Sequence, residues 1–171
     1  ESFLPHPPMG TLTHAKVLPA VGGDTLFCST TAAYEALSPN MKRYLEGLTA
    51  VHDLASIALL RNRYGAPWGQ LAEAVAEERW TRHPVVRTHP ETGRKALYVN
   101  EMMTSYFVGM TPEESAGLLK YLCEHSVQPE FTYRHAWKVN DLLMWDNRCT
   151  LHLAPADYTH DHPRHMHRIT V

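Results

Sequence analysis

Trp145-Asp-Asn-Arg-Cys-Thr-Leu-His152 and, beyond a polar loop, Pro163-Arg-His-Met-His-Arg-Ile-Thr-Val171 are the two stretches on which the fold reading turns. Each holds a short β-type run. His152 ends the first run, and a neutral imidazole is a good ligand for a divalent metal. The second alternates with period 2, so Arg164, Met166 and Arg168 share one face and His165 and His167 the other. Methionine beside two arginines is unusual on a solvent face, and an arginine turned into a barrel needs an anion. A guanidinium is shaped to grip a carboxylate through two parallel hydrogen bonds. A metal ligand and a carboxylate clamp on neighbouring strands would suit a metal-bound dicarboxylic acid.

Working outward, residues 11–18 alternate as a strand, Pro19 to Asp24 make a turn with Gly22-Gly23 supplying positive φ, and Thr25 to Ser29 form a second strand. Together these predict a hairpin. Glu1 to Pro8 begin like the end of a strand and continue extended through Pro5, Pro7 and Pro8. Ser29 caps a helix reaching Leu37, and Ser38-Pro39 starts another that stops at Gly47. Leu48 to His52 read as a strand. Residues 53–80 predict broken helix inserted between strands, a lid-like segment. His83 to Thr88 and Lys95 to Val99 form a hairpin about His89–Arg94. Thr111-Pro-Glu-Glu114 opens a helix with a capping box, its inner face carrying Leu118, Leu119 and Leu122. Phe131 to Trp137 and Asp141 to Trp145 alternate as strands, and Asp146-Asn147 forms a tight hairpin turn. Many short strands with few helices predict a mainly β, jelly-roll barrel covered by helices, one domain over residues 1–171.

Composition narrows the function. The 171 residues are 44% hydrophobic and 20% charged with a net charge of −2, which suits one soluble globular domain and offers no broad basic surface for nucleic acid or anionic membrane. No apolar run is long enough to span a bilayer, and the first residues lack the features of a signal peptide. Cys28, Cys123 and Cys149 are odd in number and widely spaced, as expected of reduced thiols in a cytoplasmic protein. Cys28 and Cys149 fall in predicted strands as small core residues. Of 12 histidines, those at 152, 160, 162, 165 and 167 crowd the C-terminal stretch. Homo-oligomerisation stays open.

Several blocks, in order, carry a resemblance: Gly22-Gly-Asp-Thr-Leu26, Ala32-Ala-Tyr-Glu-Ala-Leu-Ser38, His83-Pro-Val-Val-Arg-Thr-His-Pro90, Leu97-Tyr-Val-Asn-Glu101, Trp145-Asp-Asn-Arg148, His152, Asp157-Tyr158 and Met166-His-Arg168. Together they resemble the TauD/TfdA family of iron(II)- and 2-oxoglutarate-dependent dioxygenases, over nearly the whole chain. The resemblance implies a double-stranded β-helix, the jelly-roll version, with iron(II), 2-oxoglutarate and O₂ as cofactor and co-substrates. It implies His152 as the distal iron ligand, Arg164 and Thr25 as the partners of the far 2-oxoglutarate carboxylate, and Arg168 as a residue for the substrate's acidic group. Trp145-Asp-Asn-Arg148 is expected to be structural. The implied reaction hydroxylates a small acid and releases succinate and CO₂. Ile57, Ala58, Leu59 and Leu60 lean toward an apolar-bodied acid.

One part of the family pattern is absent. Its first two ligands form a His-x-Asp motif immediately before the stretch matching Glu1-Ser-Phe3, so the chain is expected to be the C-terminal two-thirds of a domain, incomplete at both ends and inactive alone. His89-Pro-Glu91 and His160-Asp-His162 have some of the form, but lie in a hairpin turn and a loop. The alternative is a non-catalytic jelly-roll binding or interaction module. A third reading is zinc held by the C-terminal histidines.

Overall fold

The computed structural model describes residues 1–53, 80–159 and 161–171. In chain order they form β1 (Gly10–Val17), β2 (Thr25–Ser29), α1 (Thr30–Ala36), α2 (Pro39–Leu45), β3 (Thr49–Asp53), β4 (Trp80–Pro84), β5 (Val86–Thr88), β6 (Lys95–Leu97), β7 (Thr104–Phe107), α3 (Pro112–Ser126), a single 3-10 turn (Pro129–Phe131), β8 (Thr132–His135), β9 (Leu142–Asp146), β10 (Thr150–Leu153) and β11 (His165–Thr170). The chain is thus mainly β with a few helices.

Pairing is antiparallel throughout the described strands. One three-stranded sheet has the order β11-β1-β9, a second β10-β2-β8, a third β4-β3-β7, and β5-β6 is a hairpin. The hairpin expected from β1 and β2 does not form. β1 pairs with β9 and β11, while β2 pairs with β8 and β10. The turn after β9 is likewise no hairpin, because β9 and β10 belong to different sheets. Both turns carry the chain from one sheet to the other. Alternation reports which face of a strand is buried and is silent on which strand lies beside it.

The helix starts follow local chemistry. The hydroxyls of Ser29 and Ser38 accept from Ala32 N and Met41 N at 3.2 Å each. Thr111 and Glu114 complete the capping box, with Thr111 N donating to Glu114 at 2.8 Å. Such caps satisfy amide groups that the first helical turn leaves unpaired, each contributing about 1 kcal/mol. α3 lays Leu122, fully buried, into a core with Tyr34, Leu45, Val85, Leu97 and Phe107; Leu118 and Leu119 pack at its margin. The His125 ring shares a hydrogen bond with Ala33 O at 2.8 Å and so ties α3 to α1.

The N-terminal residues form turns rather than the strand end expected for Ser2 to Leu4. Ser2 is buried and shares a 2.9 Å hydrogen bond with the Nδ1 of His52 on β3. His83 on β4 reaches Leu4 O at 3.1 Å. Burial, and then the neighbouring His83, push the His52 pKa down to about 4, so its ring is neutral near pH 7. The lid expectation for residues 53–80 lies outside the described residues except at its ends, where Asp53 and Trp80 are register partners in the third sheet. Cys28 is buried in β2 as expected, whereas Cys149 lies half-buried in the turn before β10, not in a strand.

Candidate functional site

Register places the expected site residues. Phe27 pairs with His152 and Thr25 with His135, so Thr25, Phe27 and His152 project from the same face of the β10-β2-β8 sheet. Trp145, from the β11-β1-β9 sheet, meets that face. Its ring centroid is 5.1 Å from Phe27 and 4.9 Å from His152. The two sheets therefore pack against each other through this aromatic contact. The Trp145 indole N–H is buried and has no hydrogen-bond partner among the described residues, leaving a free donor beside His152.

The turn ahead of β2 is built for close approach. Gly22 and Gly23 have φ of +80° and +75°, a region that glycine alone enters cheaply. A Cβ on Gly22 would stand 2.5 Å from Asp157 O. The Asp157 carboxylate accepts from Gly23 N at 2.8 Å and from Arg134 at 3.1 Å, and Arg134 Nε also donates to Asp24 at 2.6 Å. The bond from the Gly23 amide, above all, holds the Asp157 carboxyl below its usual range. Against this turn lies Arg164. Its Nε donates to Gly23 O at 2.9 Å, and its Nη2 approaches the Thr25 hydroxyl at 3.5 Å. Thr25 is buried. Thus two residues 139 apart in sequence meet.

His152 and Arg168 form a second pair. Both line a cavity of about 420 Å³, together with Glu1, Phe27, Val99 and Met103. The lining is largely apolar. The His152 pKa is pushed down to about 4, first by the protein packed around it and then by the charge of Arg168. By accessible surface His152 is exposed, which weakens the effect of burial; both causes still point the same way, toward a neutral imidazole able to bind metal. Among the described residues neither Arg164 nor Arg168 is ion-paired with an acidic side chain. Thr25 opens β2 and Arg164, just ahead of β11, packs against it; neither lines the cavity.

In the Trp145–Arg148 block, Asp146, Asn147 and Arg148 do structural work. Arg148 Nη2 holds Asp146 at 2.6 Å and Glu91 at 3.0 Å, and buried His89 meets Asp146 at 3.0 Å. Burial would raise the Asp146 pKa, but hydrogen bonds from Arg148 and His89 outweigh it and hold the carboxyl well below its usual range. Asn147 N donates to Met9 O at 2.8 Å and its side-chain amide to Thr11 at 2.9 Å, pinning the turn to β1. His89 is therefore engaged in the β5-β6 hairpin clamp. His89, Asp146 and Cys149 are the one trio of metal-competent groups found together among the described residues, and Arg148 already occupies the carboxylate. No C-terminal histidine belongs to it. His160 lies outside the described residues, and His162 shares a 3.0 Å hydrogen bond with Thr159.

Sequence reasoning missed Trp137. Its indole Nε1 donates to the Thr25 hydroxyl at 2.9 Å. Alternation carried the strand prediction as far as Trp137 without naming Thr25 as its neighbour. The role of Asp157 was also unspecified, since its block is too short to reveal a clamp on Gly23.

No helix among the described residues is long and apolar enough to cross a membrane. Comparison with known proteins places the chain in a family. The family model of the taurine catabolism dioxygenase TauD, TfdA family matches residues 1–170. An alpha-ketoglutarate-dependent 2,4-dichlorophenoxyacetate dioxygenase of Burkholderia sp. (strain RASC) is 41% identical over 83% of this chain and 46% of its own length. An alkylsulfatase of Acinetobacter baylyi is 35% identical over 99% of this chain and 54% of its own. The crystal structure of AAD-2 in complex with Mn(II) and N-oxalylglycine superposes with a TM-score of 0.86 and 36% identity, covering 100% of this chain and 66% of that one. The chain spans about half the length of the curated relatives it matches. By sequence and by backbone alike, it belongs to the TauD/TfdA dioxygenase family.

Proposed function

We propose that this chain is the part of an iron(II)- and 2-oxoglutarate-dependent dioxygenase that holds the co-substrate and one metal ligand. The observation that supports the reading is a guanidinium beside a hydroxyl, Arg164 and Thr25, with the imidazole of His152 one β-ladder away. The two packed sheets are read as opposing walls of a double-stranded β-helix, within a single domain over residues 1–171.

The residues fit the groups that the family implies. The unpartnered Trp145 N–H beside His152 offers a donor to an acceptor-bearing ligand. His152 would supply one nitrogen ligand, and no group of three metal-competent side chains among the described residues includes it. Glu1 borders the same cavity as His152. Bound iron(II) would supply the dioxygen chemistry that couples decarboxylation of 2-oxoglutarate, to succinate and CO₂, with hydroxylation of a substrate carbon.

The chain's own residues bind and orient. Arg164, fixed through Nε on Gly23 O, keeps its terminal N–H groups for the far carboxylate of 2-oxoglutarate. The Thr25 hydroxyl supports the same carboxylate. Arg168 offers a charge at the cavity for an acidic substrate, while Phe27, Val99 and Met103 give its body an apolar lining. An apolar-bodied organic acid suits that surface. The named substrates of relatives, 2,4-dichlorophenoxyacetate and (S)-phenoxypropionate among them, have this form.

The test is calorimetry of 2-oxoglutarate on the Mn(II)-loaded complete protein, wild type and Arg164→Ala. Loss of a desolvated, hydrogen-bonded charge partner costs about 2–5 kcal/mol, a fall in affinity of roughly 30-fold or more. A wild-type protein that binds neither metal nor 2-oxoglutarate ends the proposal.

A further inference from the structure

The donors around Thr25 decide more than the position of its hydroxyl. A threonine hydroxyl has one proton to donate and two lone pairs to accept with. An indole N–H and a guanidinium can only donate. Trp137 Nε1 reaches Thr25 Oγ1 at 2.9 Å, and Arg164 Nη2 approaches the same oxygen at 3.5 Å. Both lone pairs therefore face donors. Among the described residues no acceptor takes the hydroxyl proton, although Thr25 is only 4% exposed. A buried hydroxyl proton with no acceptor is costly unless a ligand receives it.

Trp137 is well placed for this. It follows β8, whose His135 is the register partner of Thr25. The His135 ring packs edge-on against the indole, with centroids 4.6 Å apart. The indole is thus braced on one side and spends its only N–H on Thr25.

We infer that Trp137 is a positioning residue for the co-substrate. By filling an acceptor lobe of Thr25 Oγ1, it turns the hydroxyl proton toward the carboxylate that Arg164 binds. The inference rests on the reading that Thr25 and Arg164 hold the 2-oxoglutarate carboxylate. It adds that Trp137 acts only through the Thr25 hydroxyl, without touching the ligand.

A double-mutant cycle separates the two ideas. Calorimetry would measure the 2-oxoglutarate Kd of the Mn(II)-loaded complete protein in wild type, Trp137→Phe, Thr25→Val, the double variant and Arg164→Ala. Trp137→Phe keeps a ring against His135 and removes the donor. The expected result is a 5- to 20-fold weaker Kd for Trp137→Phe, and less than a 2-fold further change when it is added to Thr25→Val. Such non-additivity marks action through one hydroxyl, because a packing defect would weaken both backgrounds alike. Unchanged affinity in Trp137→Phe, with Thr25→Val and Arg164→Ala both weakened, would overturn the inference and leave the site reading standing. Equal losses in both backgrounds would also overturn it. Unchanged affinity in Thr25→Val and Arg164→Ala would sink the site reading and the inference with it. If Trp137→Phe does not fold, Trp137→Leu, which also lacks a donor, takes its place in the same cycle, with the same outcomes.

Discussion

Replacing Gly22 with alanine separates the strain of a left-handed residue from the cost of a collision. Gly22, Gly47 and Gly93 all have positive φ, at +80°, +87° and +70°. A Cβ at Gly47 or Gly93 would meet nothing within 4 Å, whereas at Gly22 it would stand 2.5 Å from Asp157 O and 2.9 Å from Asp157 Oδ1. Gly47→Ala and Gly93→Ala should therefore lose only the left-handed strain, roughly 1–2 kcal/mol. Gly22→Ala adds overlap with a backbone oxygen, and forced overpacking costs about a further 1–3 kcal/mol. The expected total is about 2–5 kcal/mol. The collision also has a functional direction. Asp157 holds Gly23 N at 2.8 Å, Gly23 O holds Arg164 at 2.9 Å, and Thr25 follows two residues later. Displacing Asp157 should thus weaken 2-oxoglutarate binding by tenfold or more, while Gly93→Ala leaves it unchanged. Urea unfolding and calorimetry on the complete protein measure both effects. Equal stability of Gly22→Ala and Gly93→Ala, together with wild-type affinity in the former, would refute the reasoning.

Three further outcomes are expected. His52 has a folded pKa of about 4 against roughly 6.5 unfolded, so the unfolded chain takes up its proton first as pH falls. The His52 contribution, roughly 3 kcal/mol, is present above pH ~6.5 and lost between there and pH ~4; the slope of unfolding free energy over that window should flatten in His52→Gln, and an unaltered slope would count against it. Leu122→Ala, in the core and fully buried, should destabilise by about 2–5 kcal/mol, against about 0.5 kcal/mol or less for a substitution of exposed Glu113 to Ala; similar denaturation midpoints would contradict the packing described. Burial, chiefly, pushes the Cys123 thiol up to about 12, so iodoacetamide at pH 8 should leave it unlabelled until the protein is unfolded, as mass spectrometry of tryptic peptides would show.

The local layer of this fold was legible from adjacent residues. Ser29, Ser38 and the Thr111–Glu114 box announce helix starts because the groups they cap lie within three residues. Gly22-Gly23 announces a turn because φ is a property of the residue itself. Strand neighbours were not legible. β1 and β2 looked like a hairpin, and so did the turn at Asp146-Asn147. The Asp157 clamp on Gly23 and the packing of Asn147 against β1 take the chain between sheets instead, through contacts 134 and 136 residues apart.

The candidate site divides along the same line. Residue types and their order, read with a family pattern, single out Thr25, His152, Arg164 and Arg168, since a carboxylate clamp needs guanidinium and a metal needs imidazole whatever the coordinates. Only the tertiary structure brought Arg164 onto Gly23 O and Thr25, set Trp145 against His152, and gave Thr25 a second donor in Trp137. Those facts depend on register and on the packing of two sheets. Both are settled by the summed burial of many side chains, which no short stretch of sequence contains.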